Sequence, residues 1–306
     1  MALAVAVPYA ALQRDPAVTV TAEPGQSVAL DWEPGWAPPE LTETNREVDP
    51  GAVGGRFTDY SRGITQGVDW QVGGGNLVLP RPSNQVPVTV GPYQGFWDTN
   101  LSEDGMARLY FEVEPGLWAF VGVPDWTPDP KAVALRVGAS LHHGDGAVDL
   151  PVRFDWVPAG MRALPGVNAG STGSADAWSV RWGFTGQASG IGVNVLRGTQ
   201  ARHAYPGVDE FGTEVSRTPV TVGGRTGFWV TYRLDARRVG PGGQVPAVTE
   251  DNSRILEVPL DDGVTLRLVP TTTPGPSDDP SVPDADLVRM AASAVQLPVD
   301  YGWMGE

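Results

Sequence analysis

The chain contains no cysteine. That removes disulfides, thiol nucleophiles and zinc–thiolate sites in one step, though it does not fix a compartment. Histidine is nearly as scarce, with 3 in 306 residues. Histidine-based metal sites and general bases are therefore confined to His142, His143 and His203. Positive charge is short as well: 21 Lys and Arg against 36 Asp and Glu leave a net charge of −15. A surface of that sign repels phosphate backbones and argues against a nucleic-acid role. Basic residues form no block longer than Arg237-Arg238, which also removes an electrostatic membrane anchor.

Long apolar runs are missing too. MALAVAVPYAAL at the start is uncharged, but a bilayer span needs roughly 20 residues. A secretory signal would open on a basic segment, and none is present. Two readings stand for this stretch: the outer end of a membrane segment that would precede Met1, or a buried or edge strand.

Gly (39) and Pro (29) are plentiful, as are the 11 Trp. Such a composition favours many short strands and turns with aromatic residues on the sheets. The length fits two domains of about 150 residues. The clearest pattern is a repeat: PVTVGPYQGFW at 87–97 returns as PVTVGGRTGFW at 219–229. Each copy reads as a β-hairpin, with Val220 and Val222 opposed to Thr221 at strand period and Gly223-Gly224 as the turn.

Strands are expected at 18–20, 28–32, 68–72, 76–79, 109–113 and 117–123 in the first half. Those at 178–185, 193–195, 219–234, 255–258 and 264–268 belong to the second. Residues 36–66 and 165–176 show no period and read as loops, and Gly190-Ile-Gly192 as a turn. Asp129 and Pro130 start a helix near 130–142 with Val133, Val137 and Leu141 on one face. A second helix near 284–296 carries Leu287, Ala291, Ala294 and Val295. Val152-Arg-Phe154-Asp-Trp156 echoes Val28-Ala-Leu30-Asp-Trp32, and Leu135–Ser140 echoes Val288–Ser293.

Matched segments in the same order imply an internal duplication. The expected fold class is α+β: two tandem duplicated units, 1–147 and 148–306, each an antiparallel β-sheet covered by a C-terminal helix. The alternative for the second helix is a mobile lid over a groove.

The order of Asp-Trp-x-Pro, the PVTVGG hairpin, paired strands and DLVRMAASA resembles the outer domains of membrane-anchored actinobacterial proteins. These include the extracytoplasmic parts of some anti-sigma factors, similar to a sheet-and-helix sandwich of the LolA/MucB or PsbP-like sort. The resemblance is better over about 148–297. It implies an extracytoplasmic location, with membrane attachment only through an N-terminal anchor absent from this chain. It transfers no catalytic residue.

The search for chemistry is correspondingly sparse. His142 and His143 read as helix C-terminal caps, and His203 as solvated. Gly186-Gln-Ala-Ser189-Gly190 misses the spacing of a nucleophile elbow. Asp278, Asp279, Asp284 and Asp286 lack the ligand order of a calcium loop. No catalytic residue, cofactor or metal is expected. A carboxylate pair for glycoside hydrolysis stays open, because sequence fixes no separations.

Three function classes follow. The leading one is a non-enzymatic module binding a protein or an apolar small ligand at the bacterial cell envelope. The second is a carbohydrate-binding or carbohydrate-active protein using Trp36, Trp118 and Trp126. The third is a structural spacer.

Overall fold

The computed structural model describes residues 27–59, 67–74, 84–98, 105–164, 166–174, 176–186, 189–198, 213–233, 252–272, 282–299, 301 and 303. The expected strands at 18–20 and 76–79, the N-terminal apolar stretch, His203, Asp278 and Asp279 lie outside these residues. The chain divides into two compact units, Val28–Val148 and Asp149–Gly305, with Ser27 grouped in the second. No helix among the described residues is long and apolar enough to cross a membrane.

The first unit opens with β1 (Val28–Ala29), β2 (Trp32–Pro34), β3 (Thr42–Asp49), β4 (Ala52–Thr58) and β5 (Val68–Gly73). It continues with β6 (Gln85–Val90), β7 (Tyr93–Asp98), β8 (Met106–Glu114) and β9 (Leu117–Pro124). Helix α1 (Pro130–Ser140), β10 (Leu141–His143) and β11 (Ala147–Val148) close it. Its sheet runs β3-β4-β5-β9-β8-β7-β6, antiparallel throughout. The helix start is as its residues dictate: the Asp129 side chain accepts from the Ala132 amide at 3.1 Å, and Pro130 needs no donor.

The second unit contains β12 (Val152–Phe154), β13 (Arg162–Ala163), β14 (Val167–Ser174), β15 (Ala177–Thr185) and β16 (Ser189–Arg197). After them come β17 (Thr213–Val222), β18 (Arg225–Arg233), β19 (Asn252–Pro259), β20 (Val264–Thr272), α2 (Asp284–Ala292) and β21 (Ala294–Gln296). Its sheet runs β14-β15-β16-β20-β19-β18-β17, again antiparallel, with β13 beside β15.

This is a mainly β protein, which overturns the α+β class and the picture of a sheet covered by a helix. Helix α2 has 9 residues, a length of about 13 Å at ~1.5 Å per residue. The strand path of its unit is about 29 Å wide at ~4.8 Å per step. A helix that short seats on one corner of a sheet. Both helices also stop earlier than expected. Leu141, Ala294 and Val295 leave the helical faces assigned to them and lie on β10 and β21, which pair with β2 and β12. Their apolar spacing mimicked a further helical turn.

Other expectations are corrected in the same direction. Residues 42–58 and 167–174 form β3, β4 and β14 rather than loops, and Gly190 and Gly192 lie within β16. Polar residues hid β3, where Thr44 is buried. Glycines hid β4: a Cβ on Gly55 would sit 2.6 Å from the Asn45 carbonyl oxygen and 2.8 Å from Trp70 Nε1. The neighbouring strand and indole take the space a side chain would need.

The two hairpins share one register. Pro87, Val88, Thr89 and Val90 oppose Phe96, Gly95, Gln94 and Tyr93. Pro219, Val220, Thr221 and Val222 oppose Phe228, Gly227, Thr226 and Arg225. Gly223 and Gly224 both have positive φ (55° and 83°), as a type I′ turn requires. In the first copy only Gly91 does, at 56°, because Pro92 fixes its own φ negative. Each turn rests on the last alanine of its unit's helix: a Cβ on Gly91 would lie 3.2 Å from Ala139 Cβ, and one on Gly223 3.3 Å from Ala292 Cβ.

Leu287 is fully buried beside Met290 and Ala291, and α2 lies against β17, β19 and β20. Leu287→Ala should lower the stability of the full chain by about 2–5 kcal/mol. Denaturant unfolding followed by far-UV circular dichroism measures this; a loss well below 1 kcal/mol would show a loosely seated helix.

Candidate functional site

The structure does not gather the three tryptophans. Trp36 is half-buried and precedes β3, with the Arg136 guanidinium 4.2 Å above its ring. Its counterpart is Trp156, with Arg289 at 4.2 Å. Each stack ties a helix to the segment after β2 or β12. The pairing also corrects the sequence echo: Trp156 matches Trp36, four residues beyond Trp32. Trp118, half-exposed, stands near the start of β9, 5.8 Å from the Phe96 ring. Trp126 is 51% exposed, beyond the opposite end of that strand. Six residues of strand at about 3.3 Å each put Pro124 roughly 20 Å from Trp118, and Trp126 lies in the turn that follows, where the Thr127 amide donates to the Pro124 carbonyl.

What the register does gather is a row of side chains across one face of each sheet. In the first unit the paired positions run Pro87, Phe96, Tyr110, Phe120, Gln71, Gly54 and Glu47. Phe96 and Tyr110 stack at 5.4 Å, Tyr110 and Phe120 lie 5.5 Å apart, and Trp118 flanks Phe96. Phe96 and Tyr110 are buried, whereas Trp118 and Phe120 are half-exposed. The Arg108 guanidinium lies 5.9 Å from the Phe120 centroid. Alternation along β8 puts Leu109 and Phe111 on the other face, where Phe111 meets α1 at Gly138.

The same row in the second unit reads Pro219, Phe228, Glu257, Arg267, Asn194, Arg181 and Asn168. Phe228 keeps the place of Phe96, but Tyr110 and Phe120 give way to Glu257 and Arg267. Glu257, 5% exposed, accepts from Arg267 at 2.9 Å, from Arg217 at 3.0 Å and from the Tyr232 hydroxyl at 3.1 Å. Arg217 also forms a two-pronged pair with Glu214 at 2.9 Å. Burial, the leading cause, pushes the Tyr232 phenol up to about 12, and the Glu257 carboxylate adds to it. The folded state therefore keeps this proton where the unfolded chain loses it, so its contribution is present below pH 10 and lost as pH rises through about 12. Asn194 is 5% exposed, and its Oδ1 has no hydrogen-bond partner among the described residues.

This network is built to hold strands. A carboxylate already receiving three donors has little lone-pair capacity left for proton abstraction. The sequence did carry a signal for it: Glu257 and Arg267 stand at mirrored distances from the Asp261–Gly263 turn, each inside an apolar strand. Opposite charges so placed must face one another across a hairpin.

The histidines are not helix caps. His142 and His143 lie on β10, opposite Glu33 and Trp32 of β2. No group of three or more potential metal ligands occurs among the described residues. The sheet edges are blunted: β6 and β17 carry Pro87 and Pro219, and β17 has a register shift between Glu214 and Ser216.

No family model matches the sequence, and no curated protein matches it. Among solved structures, the chain is similar to MucB in its complex with MucA(peri), at 13% identity. The alignment covers 90% of this chain and 93% of that one with a TM-score of 0.24, too low to carry an argument about fold or function.

Removing the acid of a buried ion network takes a charge partner from the buried arginine. Glu257→Ala, which removes the carboxylate facing Arg267, should cost about 3–5 kcal/mol in denaturant unfolding of the full chain. A cost below 1 kcal/mol would mean that the arginines are satisfied without Glu257.

Proposed function

We propose that this protein is a non-catalytic binding module of the cell envelope that takes a protein partner on the aromatic face of its first unit. The observation that carries the reading is the row Phe96–Tyr110–Phe120 flanked by Trp118. Two of its rings are buried as a floor, and two are half-exposed, Phe120 beside Arg108 and Trp118 beside Phe96. Tyr, Trp, Phe and Arg are the residues that concentrate binding energy at protein interfaces. A rigid sheet holds them at little entropic cost, since the ordering is already present before binding. The blunted edges direct recognition to the face rather than to strand addition.

The envelope location draws on the sequence resemblance. The non-catalytic reading rests on the sequence, which offers no recognisable set of catalytic residues. A sugar could stack on the same Trp118, so the test must separate the two ligand classes.

Peptides selected from a random display library on the full-length protein supply one probe, and a glycan array the other. The selected peptides should bind Trp118→Ala and Phe120→Ala at least about tenfold more weakly, roughly 1.4 kcal/mol. Unchanged affinity in both variants would refute the face. Array binding that depends on Trp118, with no peptide selected, would establish the carbohydrate reading instead.

A further inference from the structure

His143 stands between two oxygen acceptors. Its Nε2 lies 2.9 Å from Glu114 Oε1, and its Nδ1 lies 3.1 Å from the Asp31 carbonyl oxygen. A neutral imidazole has one N–H and leaves its second nitrogen as a lone pair facing an oxygen. An imidazolium donates to both. The ring also lies against the buried Trp32, with centroids 4.1 Å apart and planes tilted by 38°. Three pieces of chain thus meet at one side chain: β10, the lead into β2, and the end of β8 before its turn into β9.

We propose that His143 is a proton-operated latch that fastens β10 to the β8–β9 turn when charged and releases it when neutral. The second unit supplies an internal comparison. Gln296 occupies the matching place on β21, since Leu141 and His143 oppose Pro34 and Trp32 as Ala294 and Gln296 oppose Phe154 and Val152. Gln296 Oε1 accepts from the Asp261 amide at 3.0 Å, and Asp261 precedes the matching turn. The second unit makes the same fastening with a group that does not titrate. Proton control belongs to the first unit alone.

The carboxylates around His143 favour the closed form, and the neighbouring His142, when charged, opposes it. Glu114 and Glu112 come from β8, the latter accepting from the Gly116 amide at 2.7 Å. Asp31 and Glu33 come from β2 and its lead-in. His142 and Asp145 belong to its own segment, and His142 Nε2 is 3.8 Å from Glu33 Oε1. The Glu114 hydrogen bond is the main reason that the His143 imidazole is held above its ordinary value. A raised value in the folded state means that the latch is complete below pH 6.5. It is lost as pH rises through the higher folded value. The side chain is 64% exposed, so salt screens the pair and the release is a local opening rather than unfolding.

The test uses the full chain. Imidazole C–H signals are followed by NMR against pH; with 3 histidines, the His143 signal is identified by its loss in His143→Gln. Its midpoint should lie above 6.5 and fall by about half a unit or more in Glu114→Gln. Amide exchange at Leu141–His143, corrected for base catalysis, should quicken at least about threefold from pH 6 to pH 8 in the wild type. In His143→Gln, which imitates Gln296, it should not change. A midpoint at or below 6.5, one indifferent to Glu114→Gln, or the same exchange profile in both proteins would overturn the latch.

Discussion

A two-residue turn fixes which residues face each other in the hairpin that both units share. Gly223-Gly224 and Gly91-Pro92 each reverse the chain so that Pro opposes Phe four positions into the hairpin. Strand pairing then transmits that register from strand to strand. A slip of one residue would send each row to the opposite face. The turns are in turn fixed by the helices, because Gly91 and Gly223 approach Ala139 and Ala292 too closely for a larger residue to be accommodated without movement. A short helix therefore has a consequence well beyond its own length: it seats a turn, and the turn sets a register.

One register supports two chemistries. The first unit places stacked aromatic rings on the face away from α1, while the second places a buried glutamate among arginines on the face away from α2. Aromatic rings half-open to solvent keep apolar area available for a partner. A buried ion network gains much of its favourable energy from internal pairing and has less to offer another molecule. On the function proposed above, binding falls to the first unit and reinforcement to the second. The Trp–Arg stacks at 4.2 Å are common to both units, as expected of parts that serve the scaffold.

The sequence disclosed the elements whose signal is local. The PVTVG hairpins, the Asp129-Pro130 helix start and the alternating β8 and β9 were readable because caps, turns and period-2 patterns are written in neighbouring residues. β3, β4 and β14 were not. Thr, Asn and Gly dominate them, and what makes them strands is a partner across the sheet, such as the Trp70 indole that occupies the space beside Gly55. The helices were overextended because Ala294 and Val295 continue a helical spacing in sequence while pairing with Phe154 and Arg153 in space. The candidate tryptophans were chosen by residue type. Type alone could not show that Trp36 is covered by Arg136, or that Trp118 and Trp126 stand at opposite ends of one strand. The aromatic row and the Glu257 network emerge only when the six strand pairings of each sheet are laid side by side.

The register itself is open to direct measurement, helped by a background free of cysteine. Thr89 opposes Gln94, and Thr221 opposes Thr226, each pair one step beyond the pair that closes its turn. Directly opposed residues bring Cα atoms within the roughly 4.4–6.8 Å that a disulfide needs. Double variants Thr89→Cys/Gln94→Cys and Thr221→Cys/Thr226→Cys should both cross-link under mild oxidation. The offset pairs Thr89→Cys/Tyr93→Cys and Thr221→Cys/Arg225→Cys, whose second members oppose Val90 and Val222 instead, should stay reduced. Cross-linking of an offset pair in preference to its matched pair, in either hairpin, would contradict the shared register and the two rows built on it.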